Sequence, residues 1–258
     1  MLIPSTWTAD TYLGRAESGR SRPLRLSCYP ESGDEQSRAE FFVKTVGLPE
    51  IIEQHLFAEM LGNVVAREFG MRTPEPSFIE LTSEFAGLVR ESCGIRAQPG
   101  LAVGGRSLGA SLSPPVFGRM ASDQRAQAAR IYLFDMVVEN PDRRRTNGNC
   151  AVVGGALTAY DFADSFSFLL PVIGGAPESW VVPTGISSQH LFRGTLDRAL
   201  PDWPALFESL RGCLEATLED PMSWMPGSWS EWLERVRAHF AAIVEHFDEF
   251  RFEVLRSL

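Results

Sequence analysis

The sequence predicts an α+β fold of two lobes, a β-rich N-terminal lobe over residues 1–104 and a mainly helical C-terminal lobe over 105–258. Three observations carry that expectation. Before residue 104, short apolar runs alternate with turns rich in Gly, Pro and Ser. After Ser122, apolar residues recur at three- and four-residue steps, as one face of a helix requires. Between them stands Gly104-Gly105-Arg106-Ser107-Leu108-Gly109, which reads as a flexible link. No strand–helix–strand context surrounds these glycines, so they do not read as a dinucleotide fingerprint.

Taken in order, Tyr12-Leu13-Gly14 and Leu24 to Tyr29 read as strands, with a turn at Ala16 to Ser21 between them. The Gly19–Ser21 tip can offer backbone N–H groups to phosphates, or it can be a plain turn. Pro30 to Gln36 reads as a polar loop. Phe41-Phe42-Val43-Lys44 is then a short strand whose alternation puts Phe42 and Lys44 on one face. Pro49 suits the first turn of a helix that runs to about Phe69 and stops at Gly70. Glu59 falls on or beside that helix's apolar face, where a carboxylate either pairs with a cation or reaches out to water. Ser77 to Leu81 and Leu101 to Val103 read as strands, and the stretch from Gly87 to Arg96 has no clear periodicity.

In the second half, Ser122 is placed to cap a helix with its body at Ala126 to Val138, which Pro141 brings to an end. Asp135 lies inside it, either bracing the turn that follows or serving as an ordinary buried carboxylate. Asn149 to Val153 and Thr158 to Tyr160 form a hairpin around Gly154-Gly155. Leu206, Leu210, Leu214 and Leu218 mark one further helix. A last one is expected to start at a Ser228/Glu231 capping box and to run past Phe250. Its aromatic stripe reads as core.

The chain has 258 residues and a formal net charge of −9, so no basic surplus exists to displace counterions from nucleic acid. No apolar run is long enough for a membrane span, and no secretory leader is evident, so a cytoplasmic protein is expected. Cys28, Cys93, Cys150 and Cys213 lack metal-ligand or disulfide-framework spacing and are expected as reduced thiols. Lys44 is the only lysine among 24 cationic side chains. Arginine replaces lysine freely at exposed positions, but not where a compact ammonium must sit on a phosphate.

The chemistry concentrates in Asn140 to Asp161, N-P-D-R-R-R-T-N-G-N-C-A-V-V-G-G-A-L-T-A-Y-D. Phosphoryl transfer to a hydroxyl needs a carboxylate to orient or deprotonate the acceptor, with an Asn and a second Asp for metal ions on the phosphates. Asp142, Asn147 and Asp161 have that order and spacing, and Asp161-Phe162-Ala163 stands where kinases carry Asp-Phe-Gly.

Five segments together resemble the HipA-like kinases, a bacterial branch of the protein-kinase-like fold. They are F-F-V-K-T-V-G (41–47), F-A-E-M-L-G-N-V-V-A-R-E-F-G-M-R-T-P-E-P (57–76), P-G-L-A-V-G-G-R-S-L (99–108), F-D-M-V-V-E-N-P-D-R-R-R-T-N-G-N (134–149) and A-Y-D-F-A-D-S-F (159–166). The resemblance runs from about residue 10 to the end, in character only after 170. It implies an ATP- and Mg²⁺-dependent kinase acting on serine or threonine of a protein. Lys44 would contact the α/β-phosphates and Glu59 would hold it, with Gly19, Ser21 and Phe42 beside the nucleotide. Asp142 would be the base, and Asn147 and Asp161 would bind the metal. Ser18 and Ser21 would be candidate autophosphorylation sites, and the partners would be a protein substrate and a regulatory protein or antitoxin. The Asp142 loop lacks the histidine common in that family, Ala163 replaces the usual glycine, and the chain is shorter than the best-known toxin members. A small-molecule kinase and a nucleotide-sensing pseudokinase are the rival readings.

Overall fold

Five strands close on themselves into a barrel in the order β1-β2-β3-β5-β4, with β1 (Ser5–Arg15) pairing parallel to β4 (Pro76–Leu81) to complete the ring. Closure leaves no strand edge unpaired. The other strands are β2 (Leu24–Pro30), β3 (Ala39–Lys44) and β5 (Gly100–Arg106). Register shifts in β1 between Ala9 and Thr11 and between Tyr12 and Gly14 mark bulges, the usual device for bending a long strand around a barrel. In this computed structural model the described residues are 1–17, 21–31, 37–109, 113–117, 120–170, 176–196, 198 and 202–258. Chain contacts divide it into a barrel unit, Ile3–Val64 with Pro74–Gly109, and a helical unit, Met1–Leu2 with Val65–Thr73 and Ala110–Leu258.

Inside the barrel, Leu24, Leu26 and Cys28 of β2 face Phe41 and Val43 of β3, all fully buried. Alternation sends Phe42 and Lys44 outward, where helix α1 (Glu53–Glu68) covers Lys44 but leaves Phe42 exposed. Gly104 and Gly105 belong to β5, which corrects the reading of 104–109 as a link throughout. The reason is steric. A Cβ at Gly104 would lie 2.9 Å from Ile79 Cγ1 and 3.3 Å from Val43 Cγ2, so the interior has no room for a side chain there. Helix α2 (Ser83–Cys93) fills the stretch without clear periodicity. The Thr82 hydroxyl accepts from the Phe85 N–H at 3.1 Å, and Gly94 ends the helix at φ 75°.

In the helical unit, α3 (Ser122–Val137) is buried almost all round from Ala128 onward, as a core helix must be. It starts at Ser122 with Ala121 at the cap, so Ser122 is not the capping residue. The hairpin of β6 (Cys150–Val153) and β7 (Ala156–Ala159) turns through Gly154 and Gly155 at φ 58° and 84°. It is tied to α3 where the Leu157 N–H donates to Gln127 at 2.7 Å. The chain then runs through α4 (Thr184–Gln189), α5 (Trp203–Glu219), α6 (Ser230–Glu245) and α7 (Phe247–Ser257). The expected single last helix is thus two, broken at His246, whose ring stacks on Trp180 at 3.8 Å. A short 3-10 turn, Gly227–Trp229, precedes α6, so Ser228 is not its N-cap. The cysteines form no disulfide. Among the described residues no helix is long and apolar enough to cross a membrane.

Two glycines should respond oppositely to an added methyl. Gly104→Ala should cost about 1–3 kcal/mol through overpacking of the barrel. Gly87→Ala, in α2 with open space around its Cα, should stabilise by about 0.5–1 kcal/mol. Urea denaturation of both variants checks this; a neutral Gly104→Ala would mean that the barrel interior is not packed as described.

Candidate active site

The sequence-predicted residues form two groups, one in each unit. In the barrel unit, Lys44 Nζ donates to Glu59 Oε2 at 2.8 Å, and both side chains are nearly sealed from solvent. β3 supplies the lysine and the middle of α1 the glutamate, in the register that brings Lys44 opposite Val103. Each charge is the reason the other can be buried. Phe42 lies on the same face of β3 but is exposed. Ser21 is half-buried, with its carbonyl accepting from Arg15 Nη2 at 3.0 Å. Gly19 and Ser18 lie outside the described residues.

In the helical unit, everything depends on how α3 ends. Val138 and Asn140 still donate to α3 carbonyls at 3.0 Å, and Glu139 takes a left-handed conformation, φ 45°. Asn140 Oδ1 then accepts the Asp142 N–H at 3.0 Å, an Asx turn that sets the direction of the loop. Asp142 Oδ2 accepts from Asn147 Nδ2 at 2.7 Å and from Asn149 Nδ2 at 2.9 Å. Its Oδ1 has no partner among the described residues, which leaves one oxygen of a clamped carboxylate open as a hydrogen-bond acceptor. Asp161 follows the hairpin at φ 61°, and its charge acts on Arg143.

Beneath the loop lies a fully buried ionic cluster. Asp135 Oδ2 accepts from Arg143 Nε at 2.6 Å and from His190 Nε2 at 2.9 Å, while its Oδ1 accepts from Asn140 Nδ2 at 3.1 Å. Arg143 also donates to the carbonyls of Asn149 and Tyr160, and its guanidinium lies 5.1 Å from the Phe162 ring centre. Burial opposes the charge on Asp135, but the Arg143 guanidinium, aided by His190, holds the carboxyl below its usual range. Burial lowers the His190 pKa despite Asp135, so the ring stays neutral. With Nε2–H on Asp135, Nδ1 is left to accept the Phe192 N–H at 3.2 Å, which fixes the tautomer.

Of the two readings open for Asp135, bracing is the one the geometry supplies. Arg143, His190 and Asn149 were not singled out from the sequence. Arg143 sits in an R-R-R run that looks like a solvated turn, and His190 lies 55 residues from its carboxylate partner. The Asn147-Gly148-Asn149 repeat of amides was the one available signal for Asn149.

Among the described residues no cluster of three or more His, Cys, Asp or Glu is grouped to hold a metal by itself. The donor set nevertheless suits Mg²⁺, which takes one or two protein oxygens and completes its shell with phosphates and water. Asn147 turns its NH₂ to Asp142, which leaves its Oδ1 to face a cation, and Asp161 offers a carboxylate.

No protein-family model and no curated protein matches the sequence. Among solved structures, the fold is similar to that of a proinflammatory kinase from Helicobacter pylori, CtkA. The likeness covers 98% of each chain, with a TM-score of 0.54 and 11% sequence identity. At that identity the likeness is one of fold, a mixed α/β architecture shared with a kinase.

Two variants probe the floor of the loop. Arg143→Met should strand the Asp135 charge and cost about 3–5 kcal/mol, and Asp135→Asn added to it should recover part of the loss. Denaturant midpoints of the single and double variants decide; a full-cost double variant would mean that packing, not charge, is what Arg143 provides.

Glu139, at the mouth of the same loop, is buried, and burial pushes its carboxyl up from 4.5 to about 7, against weaker pulls from the Ala176 N–H and the Ser167 hydroxyl. The folded chain therefore keeps a proton that the unfolded chain gives up between those values. The stability this lends is complete below pH 4.5 and lost as pH rises through about 7. Glu139→Gln removes the titration, so its stability relative to the parent should climb across that window and level off above it. A difference that is flat with pH would refute the buried acid.

Proposed function

We propose that the chain is an Mg·ATP-dependent phosphotransferase that moves the γ-phosphate to serine or threonine of a protein, as HipA-like kinases do. The observation that carries this reading is the buried Lys44–Glu59 pair, made by the only lysine of the chain. A lysine kept where 23 other cations are arginine, and held by a carboxylate, is suited to a point contact on nucleotide phosphates. The kinase-like fold and the clamped Asp142 support the same reading.

In this scheme Asp142 Oδ1 accepts the hydrogen of the acceptor hydroxyl and aims its lone pair at the phosphorus. Asn147 and Asn149 keep the carboxylate from rotating. Lys44 holds the α/β-phosphates, and Glu59 keeps its ammonium aimed. Asn147 and Asp161 would hold Mg²⁺, which when bound neutralises the charge of the phosphates. Gly19 and Ser21 would contact the nucleotide from the hairpin tip, Phe42 would flank it, and Ser18 or Ser21 would take phosphate in cis. The N-terminal lobe over 1–104 and the C-terminal lobe over 105–258 would each bring one group of residues. A protein substrate and a regulatory or antitoxin protein are the partners this reading requires, in the cytoplasm.

Thermal melts and transfer assays test it together. Mg·ATP at a hundredfold excess over its Kd should stabilise the parent by about 2.7 kcal/mol, and Asp161→Asn should shrink the metal-dependent part. Asp142→Asn should lower transfer to protein by roughly a hundred- to ten-thousand-fold with ATP affinity kept within a few-fold. Parent protein that neither gains stability from Mg·ATP nor labels any protein would end the proposal. An Asp142→Asn variant that loses ATP binding would move Asp142 from base to metal ligand.

A further inference from the structure

Arg144 and Arg145, unlike Arg143, point away from the buried cluster and help to line two adjoining cavities. One, of about 580 Å³, is lined by Arg144, Arg145 and Arg193 together with Ser188 and Gln189. The other, of about 540 Å³, shares Arg145 and Gly194 with it and adds Arg125. The backbone sets this arrangement. Arg144 forms a β-bridge with His190, and the Leu191 N–H donates to the Arg143 carbonyl at 2.9 Å. One strand of this pairing carries Arg144 and Arg145; the other leads to Arg193. Arg145 Nη2 donates to the Arg193 carbonyl at 2.8 Å and packs over Gly194, where a Cβ would lie 3.5 Å from it.

Two features separate this surface from ordinary solvated arginines. Among the described residues, neither cavity is lined by an aspartate or glutamate side chain, and Leu258, which also lines the first, makes no ion pair with these arginines. None of Arg125, Arg144, Arg145 and Arg193 is in an ion pair with a carboxylate among the described residues, although the chain as a whole carries −9. The side chains of Arg125, Arg144 and Arg145 bond only to backbone carbonyls, which orient their guanidinium groups without neutralising them. Like charges held near one another without a directly paired carboxylate repel, and a bound anion lowers that cost. The planar fork of arginine matches a carboxylate in two-point contact.

We propose that this arginine-lined surface binds an acidic stretch of the protein substrate, aspartate or glutamate side chains close in sequence to the accepting serine or threonine. The placement supports it: Arg144 and Arg145 follow Asp142 within one turn, closed by the Arg144 N–H donating to the Asp142 carbonyl at 3.0 Å, so these arginines stand next to the proposed base in the chain. The proposal rests on the phosphotransferase reading and adds to it the charge class of the substrate.

The test uses the full chain and three fluorescent peptides that differ only around a central serine, flanked by Glu, by Gln or by Lys. Anisotropy should show the Glu peptide binding about tenfold tighter than the Gln peptide, with the gap narrowing at high salt. The double variant Arg145→Glu/Arg193→Glu should abolish the preference, and Arg145→Lys/Arg193→Lys should keep most of it, with both folded by thermal melt. With Mg·ATP, the parent should phosphorylate the Glu peptide with the highest kcat/KM. Equal binding of all three peptides, no binding of any, or a preference unchanged in the double variant overturns the surface. A single-stranded oligonucleotide that outcompetes the Glu peptide through the same arginines overturns it in favour of nucleic acid. Acid-selective binding without transfer to any peptide or to the chain itself would fail the phosphotransferase reading instead, and transfer without acidic preference would fail only the surface.

Discussion

One buried carboxylate, Asp135, decides the geometry of the loop on which the proposed chemistry rests. Its charge is costly to hide, and the structure offsets that cost with Arg143, His190 and Asn140 at 2.6, 2.9 and 3.1 Å. Two partners come from the loop itself and the third, His190, from a distant stretch, so the carboxylate fixes more than itself. Through Asn140 it shapes the turn that sets Asp142. Through Arg143 it reaches the Asn149 and Tyr160 carbonyls, the two ends of the hairpin. Through His190 it positions the strand of chain that lies against Arg144. Because Arg143 must point inward, Arg144 and Arg145 are turned outward, where they are exposed. A run of three identical residues thus divides into one internal brace and two surface cations.

The barrel unit solves the same problem at smaller scale. Lys44 of the barrel wall faces outward to Glu59 of α1, and a contact of 2.8 Å joins two charges that would be costly to bury separately. What makes room for this is the closed, tightly filled interior: Phe41 and Val43 take the inward positions of β3, so the alternate ones must face outward toward the helix. Gly104 belongs to the same economy. Its missing side chain leaves the space that Ile79 and Val43 crowd.

What was legible in the sequence follows from how local each signal is. Alternation at Phe41 to Lys44, the Gly70 stop and the Gly154-Gly155 turn depend on neighbours a few residues away, and those elements stand where the pattern puts them. The barrel itself was not legible, because the parallel pairing of β1 with β4 that closes it joins residues such as Thr6 and Phe78 far apart in sequence. Gly104 and Gly105 were read as a link because a glycine pair signals freedom locally, whereas here it signals crowding. Helix α2 carried its Thr82 cap and Gly94 stop in plain view, but Gly87 in its middle weakened the pattern. At the site, the spacing of Asp142, Asn147 and Asp161 could be read directly, and the roles assigned to them remain the proposal above. Arg143 and His190 could not be found, because nothing nearby marks which arginine of a run turns inward or which histidine meets a carboxylate across the fold.

The choice of asparagine at 147 and 149 then has a physical reason within the proposed mechanism. A base needs its carboxylate held at one oxygen and open at the other, and only a donor can do the holding. Aspartate at either position would set like charge against Asp142 and offer no N–H. Lysine or arginine would hold the carboxylate, but as an ion pair that favours its deprotonated form and so weakens it as a base. A neutral amide orients it with a smaller penalty, because it brings no net charge. Asn147 can do this through Nδ2 while its Oδ1 stays available to a cation, so one side chain supports both the base and the metal. Asn149 is buried and shares the first task only, with its carbonyl held by Arg143. The loop thereby links the half-buried Asp142 to the ionic cluster beneath it through two buried residues, Asn140 and Asn149.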